Sequence, residues 1–418
     1  MTENEFEKLG LNHDIVERLK TLRIETPTPI QKKAIPLALK GQDIIGGSAT
    51  GSGKTLAFAS PIIQNLNPAG FVQALVLTPT RELAEQVSGS ISRYAGNKIH
   101  VLPIYGGVDI ENQIRHLYNA DVIVGTPGRI IDHLNRRTLS LEHVKILVLD
   151  ECDRMFDMGF YQDVELIISK CPKKRQTMLF SATVSADIDH FAKKHTHNAK
   201  IISVAENVDP SKLKQKYYDV PDQLKFSLLV QLLKHEGTRQ LVMVFCNTRG
   251  NADFVAKNLQ NNGINARVIH GGLDQKKRLR IIEDFHKKRI NVLVCTDVAA
   301  RGLDIKGVTH VYNYDIPKDS TEYIHRIGRT ARAGREGEAI NILASRDYDN
   351  FRKVMSQISG KMDIKSGKLP YIHQVKIEKT FVRRRPGRGP NRNASPRSAR
   401  RPMHSNRGNT RPRRISRR

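Results

Sequence analysis

Apolar residues gather in short unbroken runs along the first half of the chain: Asp43 to Gly47, Ala74 to Leu77, Asp121 to Gly125, Lys145 to Asp150 and Thr177 to Ser181. These runs do not alternate with polar positions. A strand covered on one face shows a period of two, whereas a strand buried on both faces reads as a continuous apolar stretch, so the pattern predicts a parallel sheet with helices on either side. Between the runs lie segments of helical period. Asn12 to Leu22 sets Ile15, Leu19 and Leu22 on one face, and Pro29 to Leu39 begins with the proline that suits a first helical turn.

The same alternation restarts after the polar stretch Glu206 to Lys212, with strand-like runs at Leu241–Phe245, Ala266–Ile269, Asn291–Cys295, Val308–Tyr312 and Ala339–Leu343. Two α/β domains are therefore expected, over residues 1–205 and 213–370, joined by a linker at 206–212. Residues 371–418 read as a junction and tail. Beyond Phe381 all periodicity stops. Arg, Gly, Pro, Ser and Asn cannot bury enough apolar area to offset the entropy of ordering, so the tail is expected to be disordered when free.

Charge changes the picture in one respect. Of a formal net charge of +27, about half sits between residues 383 and 418, where there are fourteen arginines and no lysine, aspartate or glutamate. Clustered guanidinium groups displace counterions from phosphate backbones, which points to a polyanionic partner. With 39% hydrophobic and 27% charged residues the chain has the composition of a soluble globular protein, and no apolar run is long enough to cross a bilayer. The first residues lack the basic and apolar regions of a secretory signal, so the expected location is the cytoplasm. Four dispersed cysteines form no CxxC pair; they read as reduced, mostly buried residues.

Two segments carry chemistry by themselves. Ser48-Ala-Thr-Gly-Ser-Gly-Lys-Thr55 follows a strand and opens an apolar helix. In that setting the backbone around Ala49, Thr50, Gly51, Ser52 and Gly53 cradles phosphates, Lys54 reaches the β and γ groups, and Thr55 ligates magnesium. At the end of the run Ile146 to Leu149 stand Asp150, Glu151, Cys152 and Asp153. Acids at the carboxyl edge of a parallel sheet face a bound nucleotide. Asp150 fits the magnesium partner, and Glu151 the group that orients an attacking water.

Asp150-Glu151-Cys152-Asp153 resembles the name-giving box of the DEAD-box RNA helicases, in a cysteine-containing form. Other segments resemble that family's motifs in order, from about Phe6 to about Leu343. Thr28-Pro-Ile-Gln31 is similar to the Q motif, Pro79-Thr-Arg-Glu-Leu83 to motif Ia, Gly106-Gly107 to a further RNA-side element, Thr126-Pro-Gly-Arg129 to motif Ib and Ser181-Ala-Thr183 to motif III. In the second half Val244 to Thr248 resembles motif IV, Gln275 and Arg278 the QxxR element, Thr296 to Asp304 motif V, and His325 to Arg332 motif VI.

The resemblance implies two RecA-like domains and an ATP-dependent RNA helicase using ATP and Mg2+. It implies adenine reading by Gln31, ribose contact by Asp304, and coupling of hydrolysis to domain closure through Asp153, Ser181, Thr183 and His325. Arg329 and Arg332, three apart, are expected to share a helix face as arginine fingers on the γ-phosphate, with Arg326 on the same ladder. RNA is expected to be held mainly by its sugar-phosphate backbone, through Thr80, Arg81, Gly107, Thr126, Gly128, Arg129, Thr248, Arg249, Gln275, Arg278 and Thr296. The tail reads as a further RNA tether, and ribosomal or RNA-processing complexes as the setting.

Three positions depart from the family. Ile24 stands where an adenine-stacking aromatic is usual, Arg23 replaces the preceding glycine, and Ala331 replaces a glycine of motif VI. Weaker stacking is expected from the first and little effect from the last. A non-unwinding RNA clamp and a DNA-directed helicase are the rival readings.

Overall fold

The computed structural model describes residues 4–47, 52–181, 186–203, 213–236, 240–300, 305, 307–331, 336–358 and 362–378. Residues 1–378 form one compact unit. The expected linker at 206–212 and the tail lie outside the described residues.

In the first lobe the strands are β1 (Ile44–Gly47), β2 (Ala74–Leu77), β3 (Val101–Ile104), β4 (Val122–Gly125), β5 (Ile146–Asp150), β6 (Gln176–Ser181) and β7 (Lys200–Ser203). They pair in parallel in the order β3-β4-β2-β5-β6-β1-β7. The second lobe carries β8 (Leu213–Asp219), β9 (Leu241–Phe245), β10 (Ala266–Ile269), β11 (Val292–Cys295), β12 (Val308–Asn313), β13 (Gly337–Leu343) and β14 (Lys365–Ser366). Its order, β10-β11-β9-β12-β13-β8-β14, repeats that of the first lobe strand for strand, again all parallel.

The unbroken apolar runs have the expected cause. Along β2, Ala74 and Val76 join one buried cluster while Leu75 and Leu77 join another on the opposite face; along β5, Ile146 and Val148 part from Leu147 and Leu149 in the same way. Val242 and Val244 separate likewise from Leu241, Met243 and Phe245 on β9. Both faces of these central strands are dry. Truncating one such leucine to alanine removes buried area and leaves a cavity, at a cost of about 2–5 kcal/mol.

The two helices read from the pattern form at His13–Thr21 and Pro29–Leu39. Asn12 caps the former, its side chain accepting the Ile15 N–H at 3.1 Å. The segment after β14, read from sequence as a junction, packs on the second lobe: Ile372, Val375 and Ile377 contact its core, and Glu378 N–H donates to Asn258 Oδ1 at 2.7 Å.

Candidate nucleotide and RNA site

Parallel sheets direct the carboxyl ends of all their strands to one edge, so the residues that follow β1, β5 and β6 become neighbours whatever their distance in sequence. The register sets Gly47 beside Ser181 and Asp150 beside Phe180. Gly53, in a left-handed conformation at φ +94°, caps the helix Lys54–Asn65 that follows β1. Lys54 is buried, and its charge acts on Asp150.

Burial pushes the Asp150 carboxyl up to about 6, with Lys54 pulling it down and Glu151 adding to the rise. Among the described residues its Oδ1 has no hydrogen-bond partner. The same holds for Glu151 Oε1, Ser52 Oγ and Thr28 Oγ1, all buried around this edge. Buried polar atoms are nearly always satisfied, so four such atoms make this strand edge a candidate site for a polar ligand. Carboxylate and hydroxyl oxygens beside a phosphate loop are the hard donors that magnesium prefers, so Asp150 and Thr55 fit that ion.

Glu151 has φ +53°, a left-handed conformation that costs a non-glycine residue about 1 kcal/mol or more. The kink lets the helix Cys152–Asp157 begin directly after the strand. Arg154 Nη1 donates to Glu151 Oε2 at 2.8 Å, and the other oxygen is buried without a partner among the described residues. Sequence reasoning missed Arg154; its signal is the i, i+3 spacing from Glu151. Asp153 Oδ1 accepts the Arg154 N–H at 2.9 Å. Cys152 is fully buried, and burial pushes its thiol far up, so it is inert packing. All four cysteines are free and buried, as expected.

Gln31 is buried, and part of its amide is already engaged. Its Oε1 accepts the Thr28 N–H at 2.9 Å, and its Nε2 donates to Gly53 C=O at 3.0 Å. One N–H and one lone pair remain for a base, and the amide mechanically links that base to the lysine loop. Ile24 packs at the margin of the first-lobe core. Ala49, Thr50, Gly51, Thr183, Asp304 and Arg332 lie outside the described residues.

The expected RNA residues share one structural role. Thr80, Thr126 and Thr248 are the N-caps of the helices Arg81–Ala95, Pro127–Asn135 and Arg249–Asn261, each opening just past the carboxyl end of a strand. Gln275 begins the helix Gln275–His286, and Thr296 precedes the turn Asp297–Ala300. Helix N-termini present N–H groups and the positive end of the helix dipole, which suits phosphates. A cleft of about 490 Å³ is lined by Thr80, Arg81, Thr126, Gly128 and Arg129 from the first lobe and Arg278 from the second. Gly107, Thr248, Arg249, Gln275 and Thr296 lie outside its lining. Gly107, at φ +83°, sits beneath Arg81: a Cβ there would be 2.1 Å from Arg81 Nη1. Arg129 is aimed by Gln113, which accepts from its Nη1 at 2.9 Å.

One cleft residue went unread. Glu82 is buried and bridges the lobes, its Oε1 accepting from Gln275 Nε2 at 2.8 Å and lying 3.1 Å from Arg278 Nη2. Gln275 Oε1 and Arg278 Nε have no partner.

Motif VI corrects an expectation. The helix Ser320–Ile327 stops at Gly328, so Arg329 lies beyond it and not on its face, while Arg332 is outside the described residues. Arg329 is buried, with Nε donating to His325 C=O at 3.3 Å. Arg326 faces inward rather than to solvent. Only 1% exposed, it grips both Asp297 oxygens at 2.6 and 2.7 Å, Asn247 Oδ1 at 2.8 Å and Asp315 C=O at 2.6 Å. It thereby ties the neighbour of Thr296 to the neighbour of Thr248.

Two repeated parallel-sheet lobes with a phosphate loop, paired acids and a shared cleft define a nucleotide-dependent motor that grips a polyanion. A profile of the DEAD/DEAH box helicases matches residues 28–191, and one of the helicase conserved C-terminal domain matches residues 224–334. The chain is 46% identical over 362 residues to the DEAD-box ATP-dependent RNA helicase CshA of Geobacillus kaustophilus, covering 86% of this chain and 77% of that protein. Against the CshA of Bacillus subtilis the identity is 44%, with 86% and 73% covered. The chain belongs to the DEAD-box helicase family.

Among solved structures, Saccharomyces cerevisiae Dbp5 bound to RNA and ADP BeF3 matches with a TM-score of 0.80 at 33% identity, covering 87% of this chain and 96% of that one. A DEAD box protein from Methanococcus jannaschii, 41% identical, reaches 0.53 over 87% of this chain and 99% of its own.

Proposed function

We infer that this chain is an ATP-dependent RNA helicase, which couples RNA-stimulated hydrolysis of ATP to local unwinding or remodelling of RNA. The observation that carries the reading is the bridge from Glu82 to Gln275 and Arg278, which draws the second lobe's RNA residues against a first lobe whose acids are buried and unsatisfied. The likeness to a Dbp5 bound to RNA and ADP BeF3 supports binding of both RNA and nucleotide.

In this mechanism Lys54 and the Gly53-capped helix hold the phosphates, and Gln31 selects adenine with its spare donor and acceptor. Thr55 and Asp150 would hold magnesium, which would supply charge neutralisation for the phosphates. Glu151 orients the attacking water through the oxygen that Arg154 leaves unengaged. Arg329 and Arg332 offset charge on the departing phosphoryl group, and Asp304 meets the ribose. Asp153, Ser181, Thr183 and His325 link this edge to lobe closure. RNA lies along the helix N-termini, contacted on phosphate and ribose through the eleven residues named above, hence with little base preference. Closure bends one strand and unpairs a short duplex; phosphate release loosens the grip.

The arginine-rich tail tethers flanking RNA, the setting is the cytoplasm, and ribosomal or RNA-processing assemblies supply the substrates. Glu151→Gln keeps the shape of the carboxyl while removing its charge. We expect RNA-stimulated phosphate release to fall by a hundredfold or more, on the order of a lost general base, with nucleotide affinity within a few fold. Undiminished turnover in that assay would remove Glu151 from the mechanism.

A further inference from the structure

His270 follows β10 and is nearly buried, 6% exposed. Its two ring nitrogens face different elements. Nδ1 accepts the backbone N–H of Gly272 at 3.1 Å, and Nε2 lies 3.0 Å from Oδ1 of Asp253, on the helix Arg249–Asn261. An N–H aimed at Nδ1 excludes a hydrogen there, so the ring's hydrogen is on Nε2, directed at the carboxylate.

This ring organises the turn that leads to the QxxR helix. Leu273 N–H returns to His270 C=O at 3.2 Å, and Asp274 caps the helix Gln275–His286 by accepting the Lys276 N–H at 2.9 Å. Gly271 and Leu273 line the RNA cleft, as does Arg278 from the first turn of that helix. Gly272 packs so closely that a Cβ on it would stand 3.1 Å from Nδ1. Through Asp253 the ring also joins this turn to the helix whose N-terminus carries Thr248 and Arg249.

We propose that His270 is a positioning residue for RNA: by accepting the Gly272 N–H and donating to Asp253, it fixes the start of the helix at Gln275, aims Arg278 into the cleft and holds both in register with Thr248 and Arg249. The proposal rests on the reading that Arg278 contacts RNA. A buried histidine that merely fills space needs neither bond, and that difference is testable.

The full chain is assayed for ATPase activity while poly(U) is titrated. His270→Ala is expected to raise KM for poly(U) by about three- to tenfold, the worth of one or two oriented hydrogen bonds. The limiting kcat and KM for ATP stay within twofold. His270→Asn, whose carbonyl oxygen can replace Nδ1 as acceptor, recovers most of that loss. Asp253→Ala, at a half-exposed side chain, raises KM for poly(U) in the same direction. An unchanged KM in both alanine variants, a fall in kcat alone, or asparagine no better than alanine overturns the positioning role. Arg278→Ala separates the two levels. If it raises KM for poly(U) while the His270 and Asp253 variants do not, only the role of His270 falls; if it has no effect, the RNA reading of the helix falls with it.

Discussion

Two of the family departures share a backbone conformation. Arg23 has φ +57° and Ala331 φ +54°, the left-handed region that glycine enters freely and other residues enter at a cost. Glycine at these positions is thus a backbone requirement, which this chain meets under strain. Arg23 is exposed, so its replacement disturbs no packing. We expect Arg23→Gly and Ala331→Gly each to stabilise the fold by about 0.5–1 kcal/mol, the left-handed penalty less the added freedom of glycine in the unfolded chain. Urea unfolding checks this through its midpoint; an unchanged or lower midpoint for both variants would show the strain is relieved elsewhere.

At the scale of elements, legibility followed position in the sheet. The runs read from sequence became β1, β2, β4, β5 and β6 in the first lobe and β9 to β13 in the second, whereas β3, β7, β8 and β14 were not read. Three of those four are edge strands, and β8 lies next to the edge strand β14. Edge positions are wetted, so their residues mix polar and apolar types: β7 exposes three of four residues, and β3 contains Pro103, which cannot donate to a ladder. The motif VI helix failed differently. Arginines at i, i+3 and i+6 read as one helical face, but Gly328 ends the helix, and burial sends Arg326 inward to Asp297. Because Arg326 is buried and bidentate, Arg326→Ala leaves Asp297 and Asn247 without their cation. We expect a loss of about 3–5 kcal/mol in second-lobe stability, typical of breaking a buried pair from one side. Thermal unfolding that matches the parent would instead mean that water replaces the guanidinium.

Over the whole molecule, positive charge divides between the lobes and the terminal segment, and the two divisions predict different salt behaviour. Each phosphate neutralised on a single strand contributes about 0.7 to the slope of log affinity against log salt. Deleting residues 383–418 removes fourteen arginines and leaves the cleft intact. RNA affinity at low salt should drop and the slope should flatten, by several units if most of those arginines meet phosphate. Fluorescence anisotropy over a salt series measures both, and an unaltered slope would assign the tail no part in RNA binding.

The amino-acid order alone determined the two parallel lobes and most of the proposed site. Central strands announce themselves because both of their faces are dry, and phosphate loops and acids at strand ends are local patterns. What needed the folded chain was pairing across distance. Glu82 meets Gln275 and Arg278 from the other lobe, Arg326 meets Asn247 and Asp297, and Lys225 forms a buried ion pair with Asp347. No local window contains both partners of such pairs. The sign of φ at Arg23, Glu151 and Ala331 was hidden for a related reason: a turn dictated by the packing around it imposes a conformation that the side chain itself would not choose.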